Sequence, residues 1–323
     1  MAKDVLYTNG VIAAREPSLL GGKLLRLCET TAEDAFKSLT ESGFGRGADA
    51  VSVHEYEKLL AADARAVDEF IREYAPTNAE KAYFLAPRDF HNAKALIKAK
   101  HTGAELSPML APDGLFTVGE IDECVKSGDY SPLYPELSSA LELAEKAFAE
   151  SESASGAEIG AIFERACFKY LLNACKGNGL LKKFVAARAD MTDILTAMRS
   201  QTLEYAATNY VGGGKLGAKD LEVLFCDDAQ KAVEYFEKTP YAEFVKLCFA
   251  AKEEGKPLTA AEKALADLEY EYLSERKYEL KSRQPFIYYV LRRRAENANL
   301  RIIFVCLLAG MDENYIKSRL RAV

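Results

Sequence analysis

Apolar residues recur along most of this chain at steps of three and four, and the breaks between those runs carry helix stop and start residues. The spacing predicts its clearest helix after Ser52 and Glu55, where Tyr56, Leu59, Leu60, Val67, Phe70, Ile71 and Tyr74 fall on one stripe. Burying seven such side chains is worth about 10–20 kcal/mol before chain entropy is set against it. Pro76 ends this helix. Upstream, residues 6–14 form a short apolar stretch closed by Pro17, and residues 19–28 form a second. Thr31 with Asp34 caps a helix that Gly43 stops, and the glycines at 43, 45 and 47 make a flexible loop.

Downstream, Thr77 with Glu80 starts a helix, and Pro87 is placed to begin the next. Thr117 with Glu120 caps a short helix ended by Gly128, and Ser131-Pro132 opens one that reaches about Ala149. A flexible tract over 151–156 precedes a helix over 158–175, stopped by Gly177-Asn178-Gly179. Helices follow near Leu221, near Val233 and over 241–252. Thr259 with Glu262 caps a long helix over 260–281, Pro285 starts another that Gly310 ends, and 312–320 form the last. Nowhere do alternating β-branched residues flank a hairpin signal, so the expected fold class is all-α.

One polar box appears three times on these predicted helices. The copies are Asp89-Phe90-His91-Asn92, Asp190-Met191-Thr192-Asp193 and Glu296-Asn297-Ala298-Asn299, set 101 and 106 residues apart. Each has an acid first and Asn or Asp three residues on, and each leads into an apolar helical run. A second motif keeps the period: Gly114-Leu115-Phe116 with Glu120-Ile121 recurs 100 residues later as Gly214-Lys215-Leu216 with Asp220-Leu221. Self-similarity at a fixed period marks one structural unit used several times. It predicts three similar helical domains over 1–111, 112–212 and 213–323, joined through a linker at 103–114 that holds Pro108 and Pro112 and a glycine-rich linker at 211–214. Two readings of the boxes stand side by side. In one, each acid sits at a helix N-terminus, where it meets the positive end of the dipole and accepts backbone N–H bonds. In the other, three copies around an axis present Asp89, Asn92, Asp190, Asp193, Glu296 and Asn299 to a partner.

Composition changes this picture little. The 323 residues are 49% apolar and 28% charged, as in an ordinary globular protein. The net charge of −7 disfavours nonspecific nucleic-acid binding. Residues 275–323 hold 11 Lys and Arg against 5 Asp and Glu, a net of +6 on a body of −13. That asymmetry suits a surface for an acidic partner, or a solvated helix face. Arg292-Arg293-Arg294 point about 100° apart on a helix, so their default is a solvated cover, with Arg293 and Arg294 as candidates for an interface. The seven cysteines include no C-x-x-C pair and read as buried free thiols of a reducing compartment. Neither a signal core nor an apolar run long enough to span a membrane is present.

Candidate chemistry is sparse. His54, His91 and His101 make no metal pair, and no Cys has a His or Asp set around it. Gly212-Gly213-Gly214-Lys215 and Gly21-Gly22-Lys23 lack the Ser or Thr that a phosphate loop needs, with Leu216 and Leu24 in its place. Asp227-Asp228 lacks a third acid, since Lys231 stands where it is needed. Catalytic, cofactor and metal residues are therefore expected to be absent.

Taken together, Tyr7-Thr8-Asn9-Gly10 through Arg15 with Leu19-Leu20, the three boxes with Arg199 and Arg301, and the terminal Gly310-Met311-Asp312-Glu313 to Arg321 resemble one family of rotary-ATPase subunits. Its members are designated C in the bacterial and archaeal A/V-type ATPases and d in eukaryotic V-ATPases. The resemblance covers essentially the whole chain. It departs at Asp193, which stands where the other boxes have Asn, and in the loose linker Gly212-Gly213-Gly214. It implies three helical domains in a pseudo-threefold funnel. It implies a cytoplasmic, non-catalytic rotor subunit without cofactor, placed between the central shaft subunits and the membrane rotor ring that carries protons or sodium ions. A helical scaffold unrelated to such machines is the alternative reading.

Overall fold

The computed structural model describes residues 4–16, 19–103, 105, 109–150, 156–226, 229–273 and 281–321. Sixteen α-helices run through them in the order α1 (Val5–Arg15), α2 (Lys23–Leu27), α3 (Ala32–Glu41), α4 (Tyr56–Tyr74), α5 (Asn78–Thr102), α6 (Val118–Ser127), α7 (Pro135–Glu150), α8 (Gly156–Ala174), α9 (Gly179–Arg199), α10 (Leu203–Asn209), α11 (Ala218–Glu222), α12 (Ala229–Phe236), α13 (Ala242–Glu253), α14 (Thr259–Leu273), α15 (Gln284–Leu308) and α16 (Glu313–Arg319). No strand occurs among the described residues, and the class is all-α.

Several of the predicted start signals act locally. Thr31 accepts from Asp34 N at 3.1 Å. Thr117 and Glu120 form both bonds of a capping box, and Gly128 closes α6 in the left-handed region. Ser52 opens a 3₁₀ turn over Val53–Glu55 before α4, and the carboxylate of Glu55 accepts from Val51 N at 2.9 Å. Pro87 does not begin a helix: α5 runs through it from Asn78 to Thr102. Leu85, Ala86 and Phe90 are buried on either side of the proline, and that packing outweighs its missing backbone bond. Pro17, Pro108, residues 151–155, Asp227-Asp228 and residues 274–280 of the helix expected to reach Lys281 lie outside the described residues, and Lys281 itself is in a turn.

Chain contacts divide into two units, residues 1–77 with 266–323, and residues 78–265. In the first, α15 is the centre, with α1, α2, α3, α4 and α16 packed on it. Leu24, Leu39, Leu60, Leu300, Ile303, Phe304 and Ile316 fill the core. Phe70 on the predicted stripe stacks with Phe286 at 5.6 Å and meets Tyr289 edge-on at 5.0 Å. The second unit packs α5, α6 and α7 with α8 around Ile97, Ile121, Leu137, Leu141 and Phe163. There α9 packs on α8 and carries α10 and α13 beside it, with Phe236, Val245 and Cys248 fully buried.

Candidate functional site

The box side chains lie in the middle of α5, α9 and α15, not at helix starts, so the capping explanation of the boxes fails. Each acid instead accepts backbone N–H groups from a different segment. Asp89, with no exposed surface, takes Leu115 N at 3.0 Å and Phe116 N at 3.2 Å, and the Tyr134 hydroxyl donates to it at 3.0 Å. Asp190 repeats this with Lys215 N and Leu216 N, both at 2.9 Å, and the Tyr241 hydroxyl at 2.5 Å. Glu296 takes Leu20 N at 2.9 Å and Gly21 N at 3.1 Å on one oxygen.

The residue one turn on grips a second point. Asn92 accepts from Ala111 N at 2.8 Å and donates to Ala111 O at 3.2 Å. Asn299 does the same with Arg321, at 2.8 and 3.2 Å. Asp193, which cannot donate when ionised, accepts from Val211 N at 2.6 Å and Gly212 N at 3.0 Å. All six side chains are buried. Each box is therefore a latch with two grips, and hydrogen bonds to a carboxylate contribute about 1.5–3 kcal/mol apiece. Asn297 of the third box bonds Leu60 O at 2.8 Å, tying α15 to α4.

The second repeated motif is the other half of the latch. A Cβ placed on Gly114 would lie 2.1 Å from Asp89 Oδ1, and one on Gly214 would lie 1.9 Å from Asp190 Oδ1. Glycine is what lets the backbone come close enough for the next two N–H groups to reach a short Asp side chain. In the third latch, Leu19 precedes the two donors, and the longer Glu296 spans the added distance.

Burial raises the Tyr134 and Tyr241 hydroxyls above the usual tyrosine range, and the paired carboxylates raise them further. Burial also pushes Asp193 up to about 6, against the lowering effect of its two N–H donors, with Asp190 and Glu164 adding to the rise.

The three arginines are engaged inside their own unit and are not the solvated cover expected of them. Arg292 donates to the Tyr288 hydroxyl at 2.9 Å and lies 3.6 Å from Glu296. Arg293 pairs with buried Asp63, and Arg294 lies 3.5 Å from Asp68. The cysteines correct another expectation: Cys226 is exposed and Cys167 half-buried, while Cys28, Cys124, Cys175, Cys248 and Cys306 are buried. Burial pushes the Cys175 and Cys248 thiols up to about 12. Among the described residues no three His, Cys, Asp or Glu gather as a metal site. His91 contacts Met109 O at 2.8 Å and His101 contacts Glu145 at 2.7 Å. Gly21 and Gly214, the glycines of the two failed phosphate loops, belong to latches.

Sequence reasoning missed Tyr134 and Tyr241, which stand 45 and 51 positions from their acids, without a common spacing. It also missed the backbone partners, although the repeated glycine was in view.

Such an architecture, helical throughout its described residues and with its three polar boxes bonded to backbone N–H groups, defines an all-α protein held by a recurring latch. More specifically, the chain belongs to the ATP synthase (C/AC39) subunit family, whose sequence model matches residues 8–319. No curated protein matches the chain. Membership places its partners within a V-type ATPase complex. No described helix is long and apolar enough to cross a membrane.

Proposed function

We propose that this chain is a non-catalytic rotor subunit of the central stalk, coupling the shaft of a V-type ATPase to its membrane ring. The observation that carries this reading is the threefold recurrence of one rigid latch. It accords with three similar domains over 1–111, 112–212 and 213–323 around a pseudo-threefold axis, the funnel the family resemblance implies. A coupler needs stiffness and a broad interface more than a reactive cleft. The first two latches each fix one segment beside the box helix at two points, and the third fixes residues 20–21 and Arg321 to one helix, so a load on those segments passes to a helix without a hinge between them. A collar of similar units can then touch several equivalent ring subunits at once, and individually weak contacts add through shared geometry. The protein sits at the membrane through the ring, on the cytoplasmic side.

Co-elution tests this reading. The folded chain is mixed with purified shaft subunits and, separately, with detergent-solubilised ring, and each mixture is run on a sizing column. Association with both is expected. A folded chain that binds neither overturns the proposal and leaves a helical scaffold of another kind.

A further inference from the structure

The latches have a consequence on their far side. Asp89 and Asn92 hold one face of α5, and Asp190 and Asp193 hold one face of α9. The opposite faces carry Phe90 and Lys94 on α5, and Val185 and Arg188 on α9, at helical spacings that turn them away from the latches. Both helices pack on α8, and α8 supplies Phe163, Cys167 and Leu171 between them. The result is a cleft of about 310 Å³ inside the unit formed by residues 78–265, within the size range of small-molecule sites.

Its chemistry is divided. Phe90, Phe163 and Val185 are buried and give it an apolar floor. The polar lining holds Lys94 and Arg188 against the one acid Glu164, with His91 beside them, so its formal charge is positive. Lys94 is half-buried and has no hydrogen bond or ion pair among the described residues. Burial and the Lys94 charge together lower the pKa of Lys98, one turn along the same helix. The Cys167 thiol is pushed up to about 12 by burial, so it stays neutral and puts no negative charge in the cleft. A bound anion would supply the partner that Lys94 lacks, while its apolar portion covered the aromatic floor.

We propose that this cleft binds a small amphiphilic anion: an aromatic or short aliphatic body carrying one carboxylate, sulfonate or phosphate group. The apolar floor takes the body, and Lys94 with Arg188 takes the anionic end.

Fluorescence titration of the full chain with anilinonaphthalene sulfonate tests this, with octanoate and octylamine as competitors and thermal melts to show that each sample is folded. The expected result is one site per chain, binding at least about ten-fold weaker in Lys94→Glu, and displacement by octanoate but not by octylamine. Thr192→Trp, a half-buried position in the lining, fills the cleft and abolishes binding. If Lys94→Glu fails to fold, Thr192→Trp and the competitor pair decide the matter. Absence of binding to the folded chain, equal binding in both folded variants, or equal displacement by octylamine overturns the proposal.

Discussion

Tyr241 donates its hydroxyl to Asp190 at 2.5 Å, and Tyr134 does the same for Asp89 at 3.0 Å. In both cases a buried carboxylate that accepts two backbone N–H groups also receives a hydrogen bond from a tyrosine immediately before a later helix, α7 or α13. The acid, the glycine and the tyrosine thus form one unit used twice in residues 78–265, and α15 holds a variant of it.

The glycines offer the sharpest test of the latch. Alanine at Gly114 or Gly214 puts a Cβ within 2.1 or 1.9 Å of the carboxylate, so the segment must withdraw and break two charge-assisted bonds. Each substitution is expected to destabilise the chain by about 2–5 kcal/mol. Alanine at Gly10 or Gly119, where a Cβ meets nothing closer than 4.0 Å, serves as the control. Chemical denaturation measures both, and equal effects at latch and control glycines would contradict the latch.

The third box makes a matching claim through length. Glu296 faces Leu20 N and Gly21 N with Leu19 before them, where the other two latches have glycine and Asp. Glu296→Asp shortens the reach by one methylene, and no glycine stands before the two donors as it does in the other latches. A loss of about 2–4 kcal/mol is expected, since a buried and a half-buried N–H group lose their acceptor. Asp190→Glu should fail for the opposite reason, overfilling a site built for a short side chain. If Glu296→Asp melts like the parent protein, side-chain length does not set the third latch.

The period and the boxes are legible in the sequence because each box lies within one helical turn and repeats at about the same interval. What the boxes hold is not, because a backbone N–H looks the same in every residue. Pro87 reads as a helix start, since sequence gives proline's local preference but not the packing of Leu85, Ala86 and Phe90 around it. The arginine triplet reads as solvated because Asp63 stands 230 positions from Arg293 and nothing local announces it.

Asp193 is the one titratable residue at its place in the three latches, where Asn92 and Asn299 occupy the others. Its folded pKa is raised to about 6, so protonation is favoured by folding. The stability it supplies is fully present below the ordinary carboxylate pKa of about 4 and is lost as pH rises through about 6. Asp193→Asn should remove this dependence: the variant loses one of the two N–H bonds at every pH, and its stability minus the parent's is lowest at about pH 4 and rises as pH climbs through about 6. Thermal melts of both proteins between about pH 4 and 8 check it. A variant-minus-parent stability that rises on acidification has the wrong sign and would count against it.

Arg293 and Asp63 form a buried pair joining α15 to α4. Burial holds the Asp63 carboxyl above the usual range even with Arg293 beside it, so the charge depends on its partner. Arg293→Leu should cost about 3–5 kcal/mol, and adding Asp63→Leu should recover most of it, because the double variant leaves no unpaired buried charge. Additive losses in the two variants would show that the pair is not coupled.

The central claim is that this chain bridges two other parts of one machine. The most direct test mixes shaft subunits and detergent-solubilised ring, with and without the chain, and follows the shaft on a sizing column. The shaft is expected to move with the ring only when the chain is present. A shaft that joins the ring equally well without it, or stays apart from the ring when the folded chain is added, would contradict the bridging role.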